Sequence, residues 1–241
     1  MTLNAHAIHP PHSAQARISG LATLSEAEHA LLDRSTRNRR RVSPYREFLS
    51  EGQPVPRPLL LLSGWACRFR VLSDGRRQIL GFILPGDLVG LCRTDHAIAS
   101  ASALALTQVE ICEMPGTEPT PTPGLAQAYA LAGAMDDFYL LNQVTRLGRL
   151  TAYERIADLF LEMYDRMELA GLATDHEMTL PITQETLADA LGLTSVHVNR
   201  TLKALRRDRA VVLESGLLTF PDYAALAAQV DHRAYRAPTV R

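Results

Sequence analysis

Between Thr194 and Arg209 the chain carries Arg200, Lys203, Arg206, Arg207 and Arg209 against a single acid, Asp208. The whole 241-residue sequence sets 25 Lys and Arg against 26 Asp and Glu, so this cluster is a local concentration and not a general bias. Cations gathered on one element neutralise phosphates and release counterions, which gives binding that weakens steeply with salt. Arg200 can do more. Its fork matches the O6 and N7 of guanine, a pairing worth about 1–3 kcal/mol of discrimination between bases. Asn199 can pair in the same bidentate way with adenine. The chemistry implied is recognition of double-stranded DNA, provided these side chains share an exposed face.

The surrounding pattern supplies such a face. Leu187, Leu191, Val198 and Leu202 recur at helical spacing in two segments, with small Ala188 where two helices would cross and Gly192 between them. Glycine accepts the left-handed backbone that ends a helix, and Thr183 and Thr194 or Ser195 are N-cap residues. The spacing therefore predicts a helix-turn-helix. Its apolar residues turn inward, which leaves Ser195, Val196, His197, Asn199, Arg200 and Lys203 outward beside Arg206, Arg207 and Arg209. The competing reading is a pair of core helices with a solvated arginine face. The next residues along the chain favour DNA binding: 210–213 and 217–220 read as strands around Glu214-Ser215-Gly216, a wing, and Pro221-Asp222 opens a last helix to about Gln229.

Upstream, residues 59–62, 65–72, 78–84 and 103–114 are short apolar or alternating runs separated by Asp74-Gly75 and Pro85-Gly86-Asp87 turns, which predicts a sandwich or small barrel. Ser25 and Glu28 form a capping-box pattern ahead of Leu31 and Leu32. The cluster Arg37, Arg39, Arg40 and Arg41 reads as a solvated loop. Residues 115–124 hold four prolines and read as a stiff connector. From 125 to 150 no proline intervenes, and Leu131, Met135, Phe138, Leu141, Val144 and Leu147 recur at three- and four-residue steps, interrupted by Asn142 and Thr145. A helix of roughly 25 residues would be about 37 Å long, more than a small domain packs internally, so a second copy is its expected partner. Thr151 and Glu154 form another capping box and mark a hinge after Leu150. A two-fold dimer along that helix would set two recognition helices about 34 Å apart, one DNA turn.

No segment has the run of uncharged apolar residues that a membrane span requires, and the histidine- and proline-containing start, His6, His9, Pro10, Pro11 and His12, lacks the pattern of a signal peptide. A cytoplasmic address is expected, with no membrane partner. Cys67, Cys92 and Cys112 are too widely spaced for a zinc ribbon or an iron–sulfur ligand set and read as buried hydrophobes. A metal-dependent enzyme would need clustered His and carboxylate ligands, which His29, His96 and the terminal histidines do not supply, so no catalytic residue and no metal are expected.

Several segments together resemble the Crp/Fnr family of bacterial transcription regulators. The sharpest are residues 180–188 and 200–205, then Arg149 with Glu154-Arg155-Ile156-Ala157, and in the β region Glu51-Gly52, Leu62-Ser63-Gly64, Asp74-Gly75-Arg76 and Pro85-Gly86-Asp87. The resemblance implies an α+β chain: an N-terminal β-roll, cupin-like and similar to cyclic-nucleotide-binding domains, then a long dimerisation helix and a C-terminal winged helix-turn-helix. The expected division is a flexible tail over 1–20, a sensor-like domain over 21–123, the dimer helix over 124–150, the DNA-binding domain over 151–230 and a tail over 231–241. Carried over, the match makes Ser195, Val196, Asn199 and Arg200 the base-reading set. Thr183, Gln184, Thr194, His197 and Lys203 fall where members touch phosphates, and Arg206 extends that basic edge.

Gly86, Asp87, Leu88 and Ser100 fall at the effector pocket. Where cyclic-AMP-binding members carry an arginine that clamps the cyclic phosphate, Ala97-Ile98-Ala99-Ser100-Ala101 stands here. A phosphate buried without that charge-assisted partner is costly. The expectation is a homodimeric, sequence-specific DNA-binding regulator whose effector is unknown or lost, with no cofactor: haem and iron–sulfur find no ligands. A cyclic-nucleotide-responsive regulator with an atypical phosphate pocket is the alternative. Its partners would be double-stranded DNA, a second copy and, if it activates, RNA polymerase.

Overall fold

The computed structural model describes residues 12–91, 98–115 and 122–235. Its N-terminal part runs α1 (His12–Leu21), α2 (Glu26–Arg37), β1 (Arg40–Val42), β2 (Glu47–Leu49), β3 (Leu59–Ser63), β4 (Ala66–Val71), β5 (Arg77–Ile83), β6 (Leu88–Val89), β7 (Ser102–Ala105) and β8 (Val109–Glu113). Two long helices come next, α3 (Pro123–Arg149) and α4 (Ala152–Leu169). The last part is β9 (Glu177–Thr179), α5 (Gln184–Leu191), α6 (Ser195–Arg207), β10 (Val212–Glu214), β11 (Leu217–Thr219) and α7 (Tyr223–Gln229).

Strands β1 to β8 make two four-stranded antiparallel sheets, ordered β1-β8-β3-β6 and β2-β7-β4-β5. Side chains alternate across a strand, so each sheet serves two cores. In β3, Leu59 and Leu61 join Val109, Ile111, Ala103, Ala105 and Ile83 between the sheets. Leu60 and Leu62 face the other way, into a cluster with Ile18, Leu32 and Leu125 of the three helices outside. The second sheet repeats the device, since Cys67, Phe69, Ile79 and Phe82 share a core with Phe160 of α4 and Leu187 and Leu191 of α5. The β-roll and the DNA-binding domain are thus joined by apolar packing as well as by the chain.

Both expected capping boxes form, Ser25 with Glu28 and Thr151 with Glu154. The chain reverses at Leu150 and Thr151, the two extended residues between α3 and α4. The wing is present as β10 and β11 around Ser215-Gly216, within two residues of the expected bounds, and a third strand, β9, pairs with β11. That strand is three residues long, too short to show a period.

Four expectations need correction. Residues 12–20 are not a flexible tail: α1 buries Ala14 and Ile18 completely, and full burial of one Ile contributes about 1.5–3 kcal/mol toward holding the helix on the β-roll. The 37–41 cluster is not a loop, because Arg37 ends α2, Arg40 and Arg41 open β1, and Glu110 of the paired β8 receives both Arg39 and Arg41 at 3.3 and 2.9 Å. The connector ends earlier than expected, since Pro123 opens α3 at a position where a missing amide costs nothing. Residues 231–235 are not a free tail and fold back onto α3 and α4, where Asn142 and Asp158 hold them by hydrogen bonds. Residues 1–11, with His6 and His9, Cys92, His96 and residues 116–121 lie outside the described residues.

Candidate nucleic-acid interface

Helices α5 and α6 are joined through Gly192, whose φ of 63° is the left-handed turn the sequence required. Each helix is capped by its expected threonine: Thr186 N donates to Thr183 Oγ1 at 3.1 Å and His197 N to Thr194 Oγ1 at 3.2 Å. Val198, Thr201, Leu202 and Leu205 are buried, so α6 sits with one face in the core. The opposite face carries what remains. Ser195, Val196, Arg200, Lys203 and Arg206 are exposed, Val196 to 81%, and His197 and Asn199 are half-buried. Positions 195, 196, 199 and 200 are one helical turn apart in pairs and form a single patch on the N-terminal half of α6.

Thr183 and Gln184 are exposed at the start of α5, and Asn199 Nδ2 donates to Gln184 Oε1 at 3.0 Å. That bond joins one expected base reader to one expected phosphate contact. Among the described residues Arg200, Lys203 and Arg206 have no acidic partner, whereas Arg207 pairs with Asp208 at 2.9 Å. Uncompensated cations beside an exposed helix N-terminal half make a surface suited to a phosphate-lined groove.

Sequence reasoning missed what holds this unit in place. A helix ends with carbonyls that lack intrahelical partners. At the end of α5, Ala190 O accepts from Gln143 Nε2 at 2.7 Å and from Gln78 Nε2 at 3.3 Å, and Leu191 O accepts from Arg155 Nη1 at 3.0 Å. Arg77 of β5 adds an ion pair to Asp189 at 2.7 Å. Side chains from β5, α3 and α4 thus converge on one turn, and no local spacing announces such a meeting.

The dimer-helix set divides. Leu141 and Val144 are 66% and 62% exposed, with Leu140 beside them at 52%. Leu131, Phe138 and Leu147 are half-buried, and Phe138 meets Tyr235 of its own chain edge-on at 5.5 Å. Met135 does not belong to a seam: it is buried, turned toward Arg17 and the Gly86–Leu88 turn.

The effector residues do not come together. Ser100 lines a cleft of about 1090 Å³ between the β-roll and α3, along with Arg68, Asp136 and Arg166. Gly86, Asp87 and Leu88 do not line it and sit behind its wall, where Arg68 donates to Leu88 O at 2.8 Å and Arg166 pairs with Asp87. Gly86 has φ of 90° and a Cβ there would stand 2.5 Å from Arg17 Cδ. Leu88 is buried. The Asp87 carboxylate is consumed internally: it accepts from Leu84 N at 2.7 Å, pairs with Arg17 at 2.8 Å and pairs with Arg166. Burial opposes its ionisation, but the Arg166 and Arg17 guanidinium groups outweigh burial and hold its pKa below the ordinary aspartate range. Arg166 also meets Glu162 at 3.2 Å and lies 4.5 Å over the Tyr139 ring. Asp87 is therefore a structural carboxylate, not a ligand-facing one. Burial pushes the Cys67 and Cys112 thiols up to about 12, consistent with packed hydrophobes.

Comparison with known proteins agrees with this geometry. Residues 154–229 match the Crp-like helix-turn-helix domain and residues 39–118 the cyclic nucleotide-binding domain. The chain is 30% identical over 212 residues to the transcriptional activatory protein AadR of Rhodopseudomonas palustris, covering 81% of this chain and 83% of that protein. It is 31% identical over 170 residues to the nitrogen fixation regulation protein FixK of Bradyrhizobium diazoefficiens, covering 70% and 71%. The solved structure of FixK2 from Bradyrhizobium japonicum superposes with a TM-score of 0.68 at 25% identity, over 82% of this chain and 98% of that one.

Proposed function

This chain belongs to the Crp/Fnr family of transcription regulators, and from that premise we propose that it works as a homodimer on a roughly palindromic operator. The observation that carries the reading is the outward patch of Ser195, Val196, Asn199 and Arg200 on a helix whose other face is locked in the core. In this reading those four residues contact base edges, and Thr183, Gln184, Thr194, His197, Lys203 and Arg206 hold the phosphates on either side. Leu141 and Val144, with Leu140, form the seam between two copies of α3. The chain acts in the cytoplasm and catalyses no reaction. By likeness to AadR, named as an activatory protein, it engages RNA polymerase where it activates.

The β-roll acts in this reading as a platform that takes no cyclic nucleotide and no other cofactor, because Asp87 already satisfies two buried arginines and a backbone amide. Calorimetry with cyclic AMP and cyclic GMP should register no binding; heat coupled to a change in DNA affinity would restore the cyclic-nucleotide alternative. Selection of bound duplexes from a random pool tests the main reading. Two mirrored half-sites with centres about 10–10.5 base pairs apart, or a multiple of that, are expected. Leu141→Asp should leave a monomer in sedimentation with weak DNA binding, and an asymmetric motif or a dimer that survives Leu141→Asp would overturn the homodimer arrangement.

A further inference from the structure

The DNA-binding domain is attached to α3 by the chain itself, by Gln143 at the end of α5 and Arg146 at α4, and again by the segment after α7. The covalent attachment is Leu150-Thr151, and two extended residues between two helices leave a pivot. The outermost attachment begins where α7 ends. Asp231 takes a left-handed backbone, φ 51°, and His232 N donates to Ala227 O at 2.9 Å, which turns the chain back. Asn142 Nδ2 of α3 donates to Arg233 O at 3.3 Å, and the Tyr235 ring packs 5.5 Å from Phe138 and 6.5 Å from Tyr139. Asn142, which interrupts the apolar spacing of α3, thereby acquires a role.

Between these ends His232 is sandwiched by two carboxylates of α4, Nδ1 at 2.6 Å from Asp158 Oδ1 and Nε2 at 3.0 Å from Asp165 Oδ2. Asp158 uses its other oxygen to receive Arg146 Nε of α3 at 2.8 Å, and Asp165 receives Tyr223 Oη of α7 at 2.6 Å. One carboxylate thus ties α3, α4 and the segment after α7, and its neighbour ties that segment to α7. Phe138 and Asn142 lie two to three turns before Leu150, roughly 12–18 Å along α3. That grip lies farther along α3 from the pivot than the Gln143 and Arg146 contacts, and so adds leverage against rotation about it.

We propose that residues 231–235 are a tether that sets the angle between the DNA-binding domain and α3, with His232 as its positioning residue. The proposal rests on the regulator reading, since that angle determines how far apart two recognition helices stand in a dimer. A stiff connection concentrates the second helix at one half-site distance and excludes others. An imidazole whose two nitrogens both face carboxylates is held as the doubly donating cation. Burial works against that form, but the hydrogen bonds to Asp158 and Asp165 outweigh it and lift the pKa to about 9. The other groups that face it are Arg146 from α3 and Tyr223 from α7; Asp231 and Arg233, on either side in the chain, pair with each other in solvent at 3.3 Å. The clasp is fully formed at neutral pH and is lost as pH rises through about 9.

The test uses the full chain with Cys92→Ser and spin labels at the exposed positions Gln127→Cys and Glu214→Cys, diluted with unlabelled protein so that each particle carries one label pair. At pH 7 a single narrow distance is expected. A chain ending at Val230, Tyr235→Ala and His232→Ala should each widen the distribution about twofold, and His232→Gln, neutral and with an acceptor oxygen where one donor stood, should widen it at pH 7 as the deprotonated parent does. Above pH 9 the parent should widen and His232→Gln should not change. On selected DNA, one base pair inserted between half-sites should cost the parent about tenfold in affinity and the shortened chain only about two- to threefold. Distributions as narrow in the shortened chain and in Tyr235→Ala as in the parent would overturn the tether. Should no DNA be selected, the regulator reading falls, and the distance measurement still decides the tether.

Discussion

Two sets of arginines divide the molecule. Arg17, Arg146 and Arg166 are buried and each is matched to carboxylates, Asp87, Asp158 and Glu162, in a chain of ion pairs that runs from α1 through the Asp87 turn to α4 and α3. Arg200 and Arg206, with Lys203, stand in water on α6 without acidic partners among the described residues. The same side chain does opposite work in the two places. A buried guanidinium must be paired, because an unmatched charge in the interior costs several kcal/mol, and once paired it is unavailable to a ligand. An exposed one loses little by standing alone and keeps its fork for a phosphate or a guanine. The Asp87 turn shows the consequence: a motif that looks like a binding cradle can be spent on holding the fold together.

The contrast can be broken most directly at Asp87. Asp87→Ala leaves Arg17 and Arg166 facing each other without their carboxylate, and urea unfolding should show a loss of about 3–5 kcal/mol. A loss below about 1 kcal/mol would mean that the buried network is not structural. Acid should reproduce part of the effect. Asp87 and Asp158 both have pKa values held below the ordinary range; burial works against this, but for Asp87 the arginines prevail and for Asp158 the His232 hydrogen bond and Arg146 prevail. Their contribution is complete above the ordinary aspartate pKa and is lost as pH falls through the lowered values. Stability measured downward from pH 5 should therefore decline more steeply in the parent than in Asp87→Asn.

On the exposed side the expected changes are smaller and fall on binding. Arg200→Ala should cost about 1–3 kcal/mol on the selected operator and little on random DNA, with unfolding unchanged. Equal losses on both DNAs would remove it from the base-reading set. Lys203→Ala should weaken every sequence alike and reduce the slope of log affinity against log salt by about one. A variant of Lys203 that alters sequence preference instead would move that residue from phosphate to base.

Local chemistry settled a large part of this protein in advance. Threonine caps at 183, 194 and 151, the left-handed glycine at 192 and the four-residue apolar steps of α3 and α6 act over a few residues, so they can be read in order along the chain. The outward face of α6 comes from the same periodicity, since whatever is not apolar at that spacing must point to solvent. Tertiary structure alone decided the rest. That Asp87 faces Arg17 and Arg166, that Gln143 and Gln78 meet at one carbonyl of α5, and that His232 returns to Asp158 all depend on residues between 47 and 112 positions apart. A charged group advertises no partner in its own neighbourhood. Burial selects the partner only when separate elements close around it, and for that reason the exposed basic face of α6 is written in the sequence while the fate of the Asp87 turn is written in the packing.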